Sequence, residues 1–277
     1  MTVLVSAADL LADGGRVALL DVRWALGDDR GREKYLAGHL PGAVFVDLET
    51  ELADPPTAAD GRHPLPSLQR LQACARRWGI RTGDSVVAYD ASGGLAAARA
   101  WWLLRWGGLT DVRLLDGGLD AWVTAGGELE TGDVVPEPGN ATLTGEGMPV
   151  LSIDEAAALP AAGGVLLDAR AGERYRGEVE PIDARAGHVP GAVSAPTTEN
   201  LGPDGRFLTA AELRERFAAL GAGEDATVAV YCGSGVTAAH EVAALVHAGV
   251  DAALWPGSWS QWSAHPDRPA VTGPGPA

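Results

Sequence analysis

The chain repeats itself, and this limits its fold more than any other feature. Leu19-Leu-Asp-Val-Arg23 recurs as Leu166-Leu-Asp-Ala-Arg170, and Gly38-His-Leu-Pro-Gly-Ala-Val44 recurs as Gly187-His-Val-Pro-Gly-Ala-Val193. Asp116-Gly-Gly-Leu-Asp-Ala-Trp122 is answered by Pro256-Gly-Ser-Trp-Ser-Gln-Trp262. Asp21 and Asp168, His39 and His188, and Trp122 and Trp262 are 147, 149 and 140 residues apart. One unit of about 120–130 residues has therefore been duplicated. Segment 127–149, rich in Gly, Pro, Glu and Thr with little apolar periodicity, reads as a linker. The expected division is a first domain over 1–126 and a second over 150–277, with a loose proline-rich tail from 265 onward.

Each copy alternates short apolar runs with amphipathic stretches. Strands are expected at 17–21, 44–48, 85–89 and 112–115, then at 165–168, 192–195, 227–231 and 252–254, with helices such as 67–78 and 95–106 between them. The fold class is α/β, with two mostly parallel sheets carrying helices on both faces. Ligands in such sheets gather at the carboxyl ends of the strands.

Composition narrows the functional classes. A net charge of -16 disfavours nucleic acid and anionic membranes and leaves small molecules and proteins as partners. No window approaches the roughly 18 apolar residues of a membrane span, and the first residues lack the pattern of a secretion signal. The two cysteines, Cys74 and Cys232, are too far apart in sequence for a CxxC pair, so neither a disulfide framework nor a metal site is expected. The expectation is a cytoplasmic protein without a cofactor.

Cys232 ends a β-branched run and opens Cys-Gly-Ser-Gly-Val-Thr, which leads into a helix. Gly233 and Gly235 let successive N–H groups turn toward one point, and the helix start adds positive potential, a setting that suits a nucleophilic sulfur anion. The duplication serves as an internal control. His39 and His188, Asp21-x-Arg23 and Asp168-x-Arg170, and Trp122 and Trp262 occur in both copies, so they read as fold-bearing. At the loop the copies part: Tyr89-Asp-Ala-Ser-Gly-Gly94 stands opposite Tyr231-Cys-Gly-Ser-Gly-Val236. Asp90 reads as either a catalytic carboxylate or, more simply, the mark of a decayed site. Cys74 lies within a helical stretch and reads as packing.

Tandem Gly-His-x-Pro-Gly-Ala copies, an aspartate in the first loop and Cys-Gly-Ser-Gly-Val-Thr in the second together resemble the two-domain rhodanese sulfurtransferases. The loop is most similar to that of the 3-mercaptopyruvate sulfurtransferases. The resemblance runs from about Val3 to Trp262. It implies an inactive first domain and a catalytic second one whose site faces the cleft between them. It also implies that Cys232 takes a sulfur atom as a persulfide and passes it to a thiol, thioredoxin or cyanide. Gly233, Gly235 and Val236 would belong to the persulfide loop, with the hydroxyls of Ser234 and Thr237 beside the sulfur. Ser234 would either handle a proton or brace the loop.

The donor is less settled. Relatives that prefer thiosulfate place Arg and Lys directly after the cysteine, whereas Gly233 and Ser234 are neutral, which favours mercaptopyruvate. Arg174 lies where the resemblance puts a carboxylate-binding arginine. A second arginine is expected nine residues later, but Asp183 stands there; either Arg185 reaches that space or the second clamp is missing. The resemblance also makes His63, in Gly61-Arg-His-Pro-Leu-Pro66, a candidate for orienting substrate or moving a proton, with Glu49 as an acidic companion. Thiosulfate transfer and a protein persulfide relay remain the alternatives. A cysteine phosphatase would need an arginine six residues after the cysteine, where Ala238 stands.

Overall fold

A computed structural model describes residues 2–145 and 147–276 and divides the chain into two compact units. The first comprises Met1–Asp54, Pro66–Met148 and Pro203–Phe207; the second comprises Pro55–Leu65, Pro149–Gly202 and Leu208–Ala277. The units are not contiguous in sequence: residues 55–65, from the first repeat, pack with the second unit.

The first unit runs β1 (Leu4–Val5), α1 (Ala7–Ala12), β2 (Val17–Asp21), α2 (Gly31–Ala37), β3 (Val44–Phe45), α3 (Leu48–Glu51), α4 (Leu68–Arg77), β4 (Ser85–Tyr89), α5 (Ala97–Trp106), β5 (Val112–Leu115) and α6 (Gly118–Thr124). Its sheet is parallel in the order β1-β5-β4-β2-β3. The second unit runs α7 (Ile153–Ala158), β6 (Val165–Asp168), α8 (Gly172–Tyr175), β7 (Val193–Ser194), α9 (Ala210–Ala219), β8 (Val228–Tyr231), α10 (Thr237–Ala248), β9 (Ala252–Leu254) and α11 (Ser258–Ala264), with the parallel order β7-β6-β8-β9.

In each sheet the strand preceding the divergent loop, β4 or β8, is flanked on both sides. Val228–Tyr231 is buried throughout, as expected of a strand covered by helices on both faces. Helix α10 is almost wholly buried as well, and Gly249 closes it at φ 87°, a left-handed conformation that suits glycine.

Two expected strands are shorter by two residues or more than read from sequence. Asp47 accepts the Thr50 N–H at 3.0 Å and caps α3, so Leu48 is helical and β3 stops at Phe45. Pro196 opens a short 3-10 turn at Thr197–Asn200, and β7 shrinks to two residues. Strand β1, not anticipated, is a two-residue edge beside β5 and too short to show a period. The second repeat reduces it to a single bridge between Val150 and Leu254.

The expected linker and loose tail turn out to be equivalent straps. Residues after α6 return to the first Gly-His-x-Pro-Gly turn, where His39 and Glu130 exchange backbone hydrogen bonds of 3.0 and 2.9 Å. Residues after α11 return to the second, where His188 and Val271 do the same at 2.8 and 3.0 Å. Trp122 Nε1 donates to Glu128 O and Trp262 Nε1 to Pro269 O, both at 2.8 Å. The tail is therefore tied down, at least through Pro276, whose carbonyl accepts from Gly191 N.

The shared residues brace these turns. His39 and His188 donate from Nδ1 to the Tyr35 and Tyr175 carbonyls at 2.9 and 2.8 Å and stack on the same tyrosines. Arg23 joins Asp21 to the Gly38 carbonyl, and Arg170 joins Asp168 to the Gly187 carbonyl. Cys74 is buried in α4, as expected of packing, and burial pushes its thiol pKa up.

Helix α10 also buries Glu241, which accepts from Asn200 Nδ2 at 2.6 Å and pairs with Arg216 at 3.4 Å. Burial pushes this carboxyl up to about 7, with Arg216 opposing. A carboxyl that holds its proton more tightly when folded than when unfolded stabilises the fold at acid pH. That contribution declines as pH rises from about 4.5 through about 7. Glu241→Gln should therefore raise the melting point more at pH 8 than at pH 5. Calorimetry showing an equal shift at both would contradict this.

Candidate active site

The site begins where β8 ends. Gly235 has φ 79°, and a methyl group there would lie 2.5 Å from the Pro256 carbonyl oxygen, so the loop closes only with glycine at this position. The loop between β9 and α11 holds it from below. Cys232 N donates to Ser258 Oγ at 3.1 Å, while the Cys232 and Gly233 carbonyls accept from Trp259 N at 3.0 Å and Ser260 N at 2.8 Å. Ser258 has φ 54°, so a strained residue supports the Cys232 loop.

Cys232 is 2 % exposed, and its Sγ accepts the Gly235 N–H at 3.1 Å. Thr237 is the first residue of the twelve-residue α10 and follows the cap Val236, so the open N–H groups of the first turn lie at the loop. The structure brings His63 to this loop through residues 55–65: His63 Nδ1 is 2.7 Å from Ser234 Oγ, and both side chains are buried. Backbone bonds fix the approach, with Arg62 N donating to Ser260 Oγ at 3.1 Å.

Arg174, on α8, reaches the same place. A methyl group on Gly233 would lie 3.4 Å from Arg174 Nη1 and 3.0 Å from Arg62 Nη2. Arg174 Nη2 pairs with Glu180 at 2.7 Å and Asp183 at 3.2 Å, and Asp183 also pairs with Arg62. Burial pushes the Asp183 carboxyl up, and Arg62 pulls it back. Arg62 was missed in the sequence; the sole signal was its place beside His63.

One candidate lies elsewhere, and one belongs to the first unit. Arg185 does not join the loop. Its guanidinium donates to the carbonyls of Trp262, Ser263, His265 and Arg268 at 2.8–3.1 Å, closing the end of α11. A side chain so fully committed to a helix end is a structural brace. Glu49 belongs to the first unit, where Oε1 accepts from Trp24 Nε1 at 2.7 Å.

In the first unit, the residue matching Cys232 is Asp90. Its Oδ1 accepts from Ser92 N and Gly94 N at 2.8 Å each, and its Oδ2 from Ala96 N at 2.8 Å and Ala97 N at 3.0 Å. Four backbone donors thus converge on one buried carboxylate. The loop between this strand and helix is an anion cradle, filled in the first unit by the chain itself.

Among the described residues no group of three His, Cys, Asp or Glu side chains is arranged to hold a metal, and no helix is long and apolar enough to cross a membrane.

Comparison with known proteins agrees with this geometry. Residues 5–125 and 152–265 each match the model of the rhodanese-like domain. A Mycobacterium tuberculosis protein provisionally named thiosulfate sulfurtransferase SseB is 50% identical over 276 residues, covering 98% of this chain and 97% of that one. A Pseudomonas aeruginosa protein provisionally named 3-mercaptopyruvate sulfurtransferase is 50% identical over 264 residues, covering 92% of each. The crystal structure of SseA from Escherichia coli, described as a 3-mercaptopyruvate sulfotransferase, superposes with a TM-score of 0.81 at 32% identity, covering 94% of this chain and 100% of that one. With two matched domains, a cysteine in the second cradle and an aspartate in the first, the chain belongs to the rhodanese family and is a sulfurtransferase.

Proposed function

We propose that the second unit moves sulfur from 3-mercaptopyruvate to a thiol, a thioredoxin-like protein or cyanide, through a persulfide on Cys232. The observation that carries this reading is the cradle around Asp90. A carboxylate oxygen and the outer sulfur of a cysteine persulfide are each two bonds from Cβ, and both groups are anionic. The four N–H donors around Asp90 therefore display the surroundings that a persulfide would meet on the matching loop.

In the first half-reaction the Cys232 sulfur attacks the thiol sulfur of the donor. The new S–S bond forms as the donor C–S bond breaks, and its electron pair passes to carbon as the enolate of pyruvate. The thiol proton ends on the pyruvate methyl group. The Ser234–His63 pair, 2.7 Å apart, can hold the carbonyl oxygen as it gains charge and can relay that proton. In the second half-reaction the acceptor attacks the outer sulfur and the electron pair returns to Cys232.

Two features favour mercaptopyruvate as donor. The residues after Cys232 are neutral, and the guanidiniums beside Gly233 are already matched by Asp183 and Glu180, so little net charge remains to attract a dianion. Thiosulfate is the second reading, supported by the provisional name of the M. tuberculosis relative. Placing arginine at Gly233 would not test it cleanly, because the new side chain would meet Arg62 and Arg174 at once.

Steady-state assays with both donors and one acceptor should give a higher kcat/KM for mercaptopyruvate, and Cys232→Ser should abolish turnover of either donor. A preference for thiosulfate would replace the donor assignment, and turnover by the serine variant would remove the persulfide route. Asp90→Ala should destabilise the first unit by about 2–3 kcal/mol through its lost cap, while retaining turnover well below the melting point. An unchanged melting curve would contradict the structural role given to that carboxylate.

A further inference from the structure

The two arginines beside Gly233 are held by one side of each fork. Arg62 uses Nη1 on Asp183, and Arg174 uses Nη2 on Glu180 and Asp183. The nitrogens nearest Gly233 are the other two, Arg62 Nη2 and Arg174 Nη1, and neither has a hydrogen-bond partner among the described residues. Nε of both arginines is also buried without a partner. Asp183 is 5 % exposed in its side chain and touches both cations, so it sets their spacing. Two fixed guanidiniums with spare donors beside the residue that follows the nucleophile form a site for a planar anion.

We propose that Arg62 is the second carboxylate clamp of the donor, acting with Arg174, and that Asp183 is the counter-charge that positions both. This inference rests on the mercaptopyruvate reading and deepens it. A carboxylate has two oxygens that each accept N–H bonds, and here the two spare nitrogens come from different segments, residues 55–65 and α8. Asp183, found where a second arginine was expected, provides the partner for a cation from elsewhere in the chain. The two guanidiniums face the two carboxylates of Asp183 and Glu180, so the site accepts one added negative charge more readily than two. It thereby selects a monoanionic oxoacid over a compact dianion.

The test is the kinetics of Arg62→Gln, Arg62→Lys and Asp183→Asn with 3-mercaptopyruvate, together with inhibition by pyruvate, which keeps the carboxylate and lacks the sulfur. Arg62→Gln should raise KM about ten-fold or more and raise the pyruvate inhibition constant by a similar factor, with a smaller change in kcat. Arg62→Lys keeps the charge but loses the fork, and its KM should fall between those of the wild type and the glutamine variant. Asp183→Asn removes the counter-charge that positions both guanidiniums but leaves both forks present, so it should raise KM by a smaller factor than Arg62→Gln does. If Arg62 were only the ion-pair partner of Asp183, Arg62→Gln and Asp183→Asn would raise KM equally; that result would overturn the proposal, as would unchanged KM and pyruvate inhibition in Arg62→Gln. Wild-type protein that does not use mercaptopyruvate would overturn both the donor reading and this one. Wild-type turnover with an indifferent Arg62 would overturn this one alone.

Discussion

The site depends on backbone N–H groups converging where a central parallel strand passes into a buried helix. Each donor is fixed by the fold before any ligand arrives, so an anion placed there is stabilised without the reorganisation that water would need. Much of the surrounding structure serves to hold that geometry. Gly235 passes a carbonyl that a side chain would strike, Ser258 accepts from Cys232 N at a positive φ, and the first turn of α11 ties down the next two carbonyls.

Duplication placed the same cradle in both units and filled it in two ways. With Asp90 the anion is permanent and caps the helix, so the loop contributes stability. With Cys232 the side chain accepts the Gly235 N–H at 3.1 Å. The first cradle is structural, and the proposed function gives the second to chemistry. The straps after α6 and α11, each crossing its own Gly-His-x-Pro-Gly turn, show that the duplicated unit extends beyond its last helix.

Legibility in the sequence followed the range of the interaction. The strand-to-loop-to-helix passage at Cys232, the paired histidines and the strands at 17–21, 85–89, 112–115, 165–168 and 252–254 all arise from local pattern, and all were readable. Strand β1 and the straps were not, because a two-residue edge has no period and a strap held by backbone bonds carries no apolar code. The arginines illustrate the same limit. Arg185 and Arg62 look alike as exposed-type cations in polar segments, yet one closes a helix end about eighty residues away and the other reaches the loop from the opposite repeat. Only long-range packing separates them. Asp183 at the offset expected of a cation left two readings open in the sequence, Arg185 in that space or no second clamp at all.

The most direct test of the account is the mass of the protein after incubation with 3-mercaptopyruvate in the absence of any acceptor, followed by peptide mapping and measurement of pyruvate. A persulfide route through Cys232 gives a gain of one sulfur atom, confined to Cys232 and matched one-for-one by pyruvate released. Pyruvate release with Cys232 unmodified, or sulfur on Cys74 instead, would contradict it.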